Sequence, residues 1–382
     1  AGSVPGVTPT IIWMNGGPGA SSIMGLLAEN IGPVAFNEKD GSLKENVYAW
    51  SKEFNVLIID NPVGSGYSYT GKSSYVKTEE EMRKDYYTAL QVFFTKHPSY
   101  RSNPIWVTGE SYGGKYVPNV AYEIHLRNEL ALRGVIIGNG VYSAKIQYPT
   151  VPQFAYAQGL IDEKMLSEAE KRFEHCVELV EAGKLSEAST ICEENVRWLY
   201  ASNATAGGVF YYDVGLADAG FIDDLTAKLG AYLNEPATQE ALHVGSRQWR
   251  QADEQGPVAA ALLPDFVTEQ GMRVIEKLLD AGKGYRVVSY NGVRDGSVCN
   301  HIGNLLALRS LEWSGQAGFE SAATTPWRPL GQLAGYKRSF GSLTYYTLRN
   351  TGHLVPMIVP EIALELIRES LAAPTAAPTV VV

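Results

Sequence analysis

The run Ile105-Trp106-Val107-Thr108-Gly109-Glu110-Ser111-Tyr112-Gly113-Gly114 decides how this chain is read. Its first half is apolar and β-branched, the signature of a buried strand, and from Lys115 to Ile124 the pattern turns helical. Between them, Gly109-Glu110-Ser111-Tyr112-Gly113 fits the pattern G-x-S-x-G. Small residues two before and two after a serine let the backbone pass sharply from strand to helix, which lifts the hydroxyl above the sheet. Five letters alone are weak evidence, because Gly and Ser are common. Strand, turn and helix in that order point to a serine nucleophile.

Further strand-like runs occur at Thr10 to Met14, Asn55 to Ile59, Gly134 to Ile137, Tyr285 to Tyr290 and Thr344 to Leu348. Amphipathic stretches such as Thr78 to Phe94 and Asp265 to Ala281 lie between them, and Thr78 followed by three glutamates reads as a helix N-cap. This alternation predicts an α/β protein with a mostly parallel sheet. From about Tyr148 to Ala231 the rhythm changes. Ile161 to Gly183 and Ser186 to Tyr200 read as two helices rich in Glu, Lys and Ala. The expected division is a core of residues 1–147 and 232–382 with a helical insertion, or cap, at 148–231. No internal repeat is evident, and the end of the chain, Ala372 to Val382, reads as a mobile tail.

Composition narrows the partners. With 382 residues, 45% hydrophobic and 19% charged, the chain suits a large folded enzyme instead of a disordered one. Forty-one acidic residues against 32 basic ones leave a net charge of −9, which argues against nucleic acid or anionic lipid as a partner. No apolar run approaches the roughly 20 residues that span a bilayer. The start, Ala1-Gly2-Ser3-Val4-Pro5, has no signal-peptide pattern, although a processed chain would look the same. Three cysteines show neither a Cys-x-x-Cys nor a His/Cys cluster, so neither metal nor cofactor is expected. Cys176 and Cys192 fall on facing turns of the helical pair and are expected to be bonded, the alternative being two buried free thiols. Asn203-Ala204-Thr205 is an N-glycosylation sequon, a triplet that also arises by chance.

A serine hydroxyl is a poor nucleophile until a base takes its proton and an acid orients that base. Among six histidines, His97 sits in a loop before proline, His125 and His243 in helix-like segments, His175 on the insertion, and His301 at a helix start. Surface or core roles suit these five. His353 differs, because it lies in the loop Asn350-Thr351-Gly352-His353-Leu354-Val355-Pro356 after a late strand. Asp295 ends the run Asn291-Gly292-Val293-Arg294-Asp295 after the strand before that one. The order Ser111, Asp295, His353 is that of the α/β-hydrolase fold. One oddity accompanies it: Thr10 to Met14 is the first strong strand, whereas folds of this kind usually carry strands ahead of it.

At these residues the chain resembles the serine carboxypeptidases of the vacuolar and lysosomal type. The resemblance rests on Trp13-Met14-Asn15-Gly16-Gly17-Pro18-Gly19, Asp60-Asn61-Pro62-Val63-Gly64, Gly109-Glu110-Ser111-Tyr112-Gly113-Gly114 and Gly352-His353-Leu354-Val355-Pro356. Tyr232-Leu233-Asn234, Ala241-Leu242-His243 and Leu311-Glu312-Trp313-Ser314-Gly315 extend it from residue 13 to about 360. It implies an α/β-hydrolase fold and a catalytic triad of Ser111, Asp295 and His353. It also implies an oxyanion hole from the Gly17 and Tyr112 N–H groups, and a grip on the substrate's terminal carboxylate by Asn15, the Gly16 N–H and Glu110. Glu110 could grip a carboxylate only while protonated, which implies an exopeptidase favoured at acid pH; the plain alternative for Glu110 is a salt-bridged surface acid. Peptide or protein C-termini would be the substrates, in a vacuole, a lysosome or outside the cell.

Two departures stand out. The family usually has cysteine where this chain has Ala20, and one extra residue separates Asp295 from Cys299, which is expected to be an unpaired thiol near the site. Three rival readings remain. Acyltransferase and lyase relatives use the same triad, but have less use for a carboxylate grip. A catalytically dead binding protein would normally lose a triad member. Gly66-Tyr67-Ser68-Tyr69-Thr70-Gly71-Lys72-Ser73 matches the P-loop pattern of nucleotide-binding proteins letter for letter. There, however, the helix signal begins only at Thr78, too late to hold phosphate, and two tyrosines would crowd the loop.

Overall fold

The computed structural model describes residues 4–37, 39–71, 74–201, 208–251 and 256–372. Among the described residues there are ten strands: β1 (Thr10–Met14), β2 (Val34–Phe36), β3 (Leu43–Glu45), β4 (Asn55–Ile58), β5 (Ile105–Glu110), β6 (Leu132–Gly138), β7 (Arg286–Gly292), β8 (Thr325–Trp327), β9 (Gly335–Phe340) and β10 (Leu343–Leu348). Eight form one sheet in the order β4-β1-β5-β6-β7-β10-β9-β8. Pairing is parallel from β4 through β10 and antiparallel at β9 and β8. This is the α/β-hydrolase fold, with β4 as the edge of the described sheet.

Alternation explains why the central strands are apolar throughout. Ile12 and Met14 of β1 pack on one face with Val107 and Val135, whereas Ile11 and Trp13 pack on the other with Trp106 and Ile136. Helices cover both faces, so neither side of a central strand meets water. On the first face lie Met82, Tyr86, Leu90 and Phe94 of the helix Glu79–Lys96, together with Val117, Val120 and Ile124 of the elbow helix Gly113–Arg127. On the second lie Ala363, Leu364, Leu366 and Ile367 of the helix Pro360–Leu371. Thr78 caps the first of these helices, its side chain accepting from the Glu81 N–H.

Between β6 and β7 the chain leaves the sheet for a run of helices. Glu163–Glu181 and Leu185–Tyr200 pack as a pair around their own apolar cluster, and Cys176 and Cys192 are bonded across them. A loop of that length adds on the order of 3 kcal/mol through the unfolded state. No helix among the described residues is long and apolar enough to cross a membrane.

Two local expectations need correction. The stretch Asp265 to Ala281 is two helices, Pro257–Phe266 and Gln270–Leu279, because the backbone turns at Val267–Glu269 to offer carbonyls to a buried lysine. His243 follows the short helix Pro236–Ala241 with a left-handed φ of 56° instead of lying within it. Strands β8 and β9 are not among the strand-like runs read from the sequence, since their mostly exposed residues lack an apolar alternation. The Asn203 sequon, Lys72 and Ser73 of the P-loop-like run, and residues 373–382 lie outside the described residues.

Candidate active site

Register brings the loops together. Met14 at the end of β1 sits beside Gly109 of β5, Gly138 of β6 beside Tyr290 of β7, and Leu348 of β10 beside Gly292 of β7. The segments that follow therefore gather at the carboxyl ends of the strands, where open α/β sheets hold their ligands. Ser111 stands at the tip of the turn with φ 61°, a left-handed conformation rare outside glycine and stored here by the surrounding hydrogen bonds. Its N–H donates to the Gly138 carbonyl at 3.0 Å, and its own carbonyl accepts from Val141 at 2.9 Å.

His353 and Asp295 are buried side by side. His353 Nδ1 lies 2.6 Å from Asp295 Oδ2. Three further donors hold the carboxylate: Asn139 Nδ2 at 2.8 Å, the Ser297 N–H at 2.9 Å and Ser297 Oγ at 2.6 Å. Such a fully satisfied acid keeps an imidazole in one orientation. The Tyr212 ring packs 4.5 Å from the imidazole, and its carbonyl accepts from the His353 N–H at 2.7 Å. Ser111 and His353 line one cavity of about 690 Å³, although the Ser111 hydroxyl makes no hydrogen bond among the described residues.

Opposite the elbow, the loop after β1 presses against its backbone. A Cβ on Gly16 would come within 2.5 Å of the Tyr112 nitrogen, and Gly17 has φ 106°, so both positions require glycine. Among the described residues the N–H groups of Gly16, Gly17 and Tyr112 have no acceptor, an arrangement suited to receiving an anionic oxygen. With Ala20 in the loop, anchoring comes from Asp60 instead. Its Oδ1 accepts from Ser21 Oγ at 2.6 Å and from the Ser22 N–H at 3.0 Å, and its Oδ2 accepts from the Tyr67 N–H at 2.9 Å. Tyr67 belongs to the P-loop-like run, whose backbone thus wraps a carboxylate of the chain itself.

Deeper in the same cavity, Asn15 Nδ2 donates to Glu29 Oε1 at 2.7 Å and to Glu110 Oε1 at 3.1 Å. Trp13 Nε1 and the Gly25 N–H donate to Asn15 Oδ1 at 2.8 and 3.1 Å, which fixes the amide's orientation. Burial pushes the Glu110 carboxyl well above the usual range, and the adjoining charges of Glu29 and Asp295 push it further. Burial raises Glu29 as well. The two carboxyls lie within hydrogen-bond reach of each other, so a proton on one is shared within the pair.

A second cavity of about 220 Å³ opens on the other side of Ser111 and Gly17. Val141, Leu263, Phe266, Val298 and Cys299 supply apolar wall. Cys299 is unbonded and buried, and burial with the Asp295 charge nearby pushes its thiol well up. Asn139, Ser297, Tyr212 and Glu29 escape a reading of the sequence. Asn139 alone leaves a trace there, as the polar centre of Gly138-Asn139-Gly140 directly after a strand.

A family model described as serine carboxypeptidase matches residues 3–373. The chain belongs to the serine carboxypeptidase family. It is a peptidase, a hydrolase that releases residues from peptide C-termini. The carboxypeptidase is 33% identical to serine carboxypeptidase-like 49 of Arabidopsis thaliana over 371 residues, covering 93% of this chain and 69% of that one. With the pheromone-processing carboxypeptidase KEX1 of Podospora anserina it shares 34% identity over 384 residues, 92% of this chain and 63% of the relative. Among solved structures it resembles a prohormone-processing carboxypeptidase from Saccharomyces cerevisiae, with a TM-score of 0.83 and 25% identity over 95% of this chain and 83% of that chain.

Proposed function

We propose that Ser111 is the nucleophile of this carboxypeptidase, His353 its general base and Asp295 the acid that orients the imidazole. Ser111 Oγ would attack the scissile carbonyl while His353 Nε2 takes its proton. The proton would then pass to the departing amine, leaving an acyl-enzyme on Ser111 that water hydrolyses by the same relay. The N–H groups of Gly17 and Tyr112 would receive the carbonyl oxygen as it becomes negative, a contribution of about 10²–10³ in rate per donor.

The buried Asn15–Glu110 pair carries the reading that only C-terminal residues leave. Asn15, the Gly16 N–H and protonated Glu110 would hold the terminal carboxylate in the larger cavity, so the penultimate side chain would enter the smaller apolar one. As pH rises through the raised pKa of Glu110, its donor becomes a second anion, hence the preference for acid. An acyltransferase or lyase has less use for such a grip. Residues 148–231 would act as a cap, since Arg197 and Tyr200 of the insertion line the larger cavity. A disulfide between Cys176 and Cys192 favours an oxidising setting, such as a vacuole, a lysosome or the exterior.

An organophosphonate followed by peptide mapping tests the nucleophile. Covalent label on Ser111, absent in Ser111→Ala together with a loss of at least about 10³ in kcat, is the expected result. Label elsewhere, or an active Ser111→Ala, would overturn it.

A further inference from the structure

Lys115 is an odd residue to find in the first turn of the elbow helix. Helix N-termini disfavour cations, and this side chain is wholly buried, yet an apolar residue would fill the space without a desolvation cost of several kcal/mol. The ammonium instead crosses to the C-terminal end of the helix Pro257–Phe266, where the Asp265 carbonyl also accepts from the Thr268 N–H at 3.0 Å. There Nζ donates to the Asp265 carbonyl, to the Thr268 carbonyl at 2.9 Å and to Thr268 Oγ1 at 3.0 Å, and lies 3.8 Å from Asp265 Oδ2.

The same Asp265 Oδ2 accepts from the Tyr112 hydroxyl at 3.1 Å. Tyr112 thereby has two ends with two tasks: its backbone nitrogen, against Gly16, would serve the oxyanion hole, and its phenol is held from beneath. Phe266 stacks on its ring at 5.5 Å and also forms wall in the smaller cavity. Tyr116, one turn along, packs edge-on against Tyr112 at 4.9 Å, and its hydroxyl accepts from the Gly19 N–H at 3.3 Å in the loop that carries Gly17. Both halves of the oxyanion hole are thus pegged by phenols rooted in one buried place.

Glu79, first residue of the helix Glu79–Lys96, completes that place. It is fully buried, and its carboxyl faces the Tyr112 hydroxyl within hydrogen-bond reach. Burial and the Asp265 charge push its carboxyl up to about 8, with Lys115 opposing, while burial brings Lys115 down to about 8. The groups facing Glu79 are Asp265, Lys115, Tyr112 and Tyr116. At acid pH Glu79 is therefore neutral beside the Lys115 ammonium.

We propose that Lys115, Asp265 and Glu79 form a buried positioning unit that holds the Tyr112 phenol and so aims its backbone N–H at the oxyanion. The proposal rests on Tyr112 serving the oxyanion hole and deepens that reading. Tyr112→Phe removes only the phenolic O–H and keeps ring and backbone. With a blocked dipeptide it should lower kcat about tenfold, a fraction of the value of a whole donor, while KM moves less than about twofold. A peptide aldehyde, whose hemiacetal oxygen occupies the hole, should bind about tenfold more weakly, with the affinity of the cleaved product unchanged. Asp265→Asn, which keeps an acceptor, should retain most of the kcat that Asp265→Ala loses. Wild-type kcat and aldehyde affinity in Tyr112→Phe, or a loss carried by KM alone, would overturn the unit. Phosphonate labelling of Ser111 is independent of this result, so a failure here leaves the nucleophile standing.

Discussion

Two buried groups of acids flank the elbow, and they differ in what they face. On the cleft side, Glu29 and Glu110 share a neutral amide, Asn15, and border the larger cavity. Beneath the elbow helix, Glu79 and Asp265 meet an ammonium, Lys115, sealed from solvent. Each group holds one carboxyl more than its surroundings can stabilise as an anion, and in each burial keeps that carboxyl protonated. Under the proposed grip, the outer pair keeps a donor for a substrate anion. The inner group uses its charges on itself, as a rigid peg. Equal chemistry would then serve binding where it meets a cavity and positioning where it meets a cation.

The largest difference should appear when the cation is removed. Lys115→Met would leave Asp265 buried without its counter-ion, and about 3–5 kcal/mol of stability should be lost in urea unfolding. Among the described residues no ammonium or guanidinium is paired with the outer acids, so Glu110→Gln should cost far less. A Lys115→Met protein within about 1 kcal/mol of wild type would erase the contrast.

Next in size is a pH effect on stability. A carboxyl whose native pKa is raised contributes stability that is complete below about 4.3, its ordinary unfolded value, and is lost as pH rises through the native value. The wild type should therefore lose stability as pH rises above about 4.3 through Glu29, Glu79 and Glu110, with the Glu79 share lost up to about pH 8. Glu79→Gln and Glu110→Gln cannot ionise, so each should gain stability relative to the wild type as pH rises from 5 to 8, read from Tm at the two values. Glu79→Gln should leave the pH dependence of peptide KM as it was, and Glu110→Gln should not. Identical slopes in all three proteins would show both carboxyls ionised throughout.

Smallest is the effect of Cys299→Ser, with kcat/KM within about twofold of wild type, since the thiol only lines the acyl-side cavity. Bulky thiol reagents should inhibit the wild type slowly, because burial holds the thiol neutral. Unchanged sensitivity in Cys299→Ser would place the reactive group elsewhere.

Much of the architecture was legible because it obeys local rules. Strand, elbow and helix around Ser111 are signalled by glycine spacing and apolar pattern, and the loops of Asp295 and His353 follow strands that read as strands. The bonded pair Cys176–Cys192 followed from helical phase. What escaped depends on tertiary approach. Glu29 lies 81 residues from Glu110 by Ser111's neighbouring turn only because β1 and β5 are adjacent in the sheet. The break after Phe266 serves Lys115, about 150 positions earlier, and no window around residue 267 contains that lysine. Asn139 and Ser297 hold Asp295 by contacts that a strand order, and not a motif, creates.

The carboxylate grip is tested most directly by KM for a blocked dipeptide and for its amide from pH 5 to pH 8, in wild type and in Glu110→Gln. For the wild type, KM of the peptide should climb with pH as Glu110 ionises, and KM of the amide, which carries no charge, should change much less. In Glu110→Gln, which keeps a donor but cannot ionise, the peptide profile should be flat. Equal pH dependence for peptide and amide, or an unaltered peptide profile in Glu110→Gln, would contradict the grip.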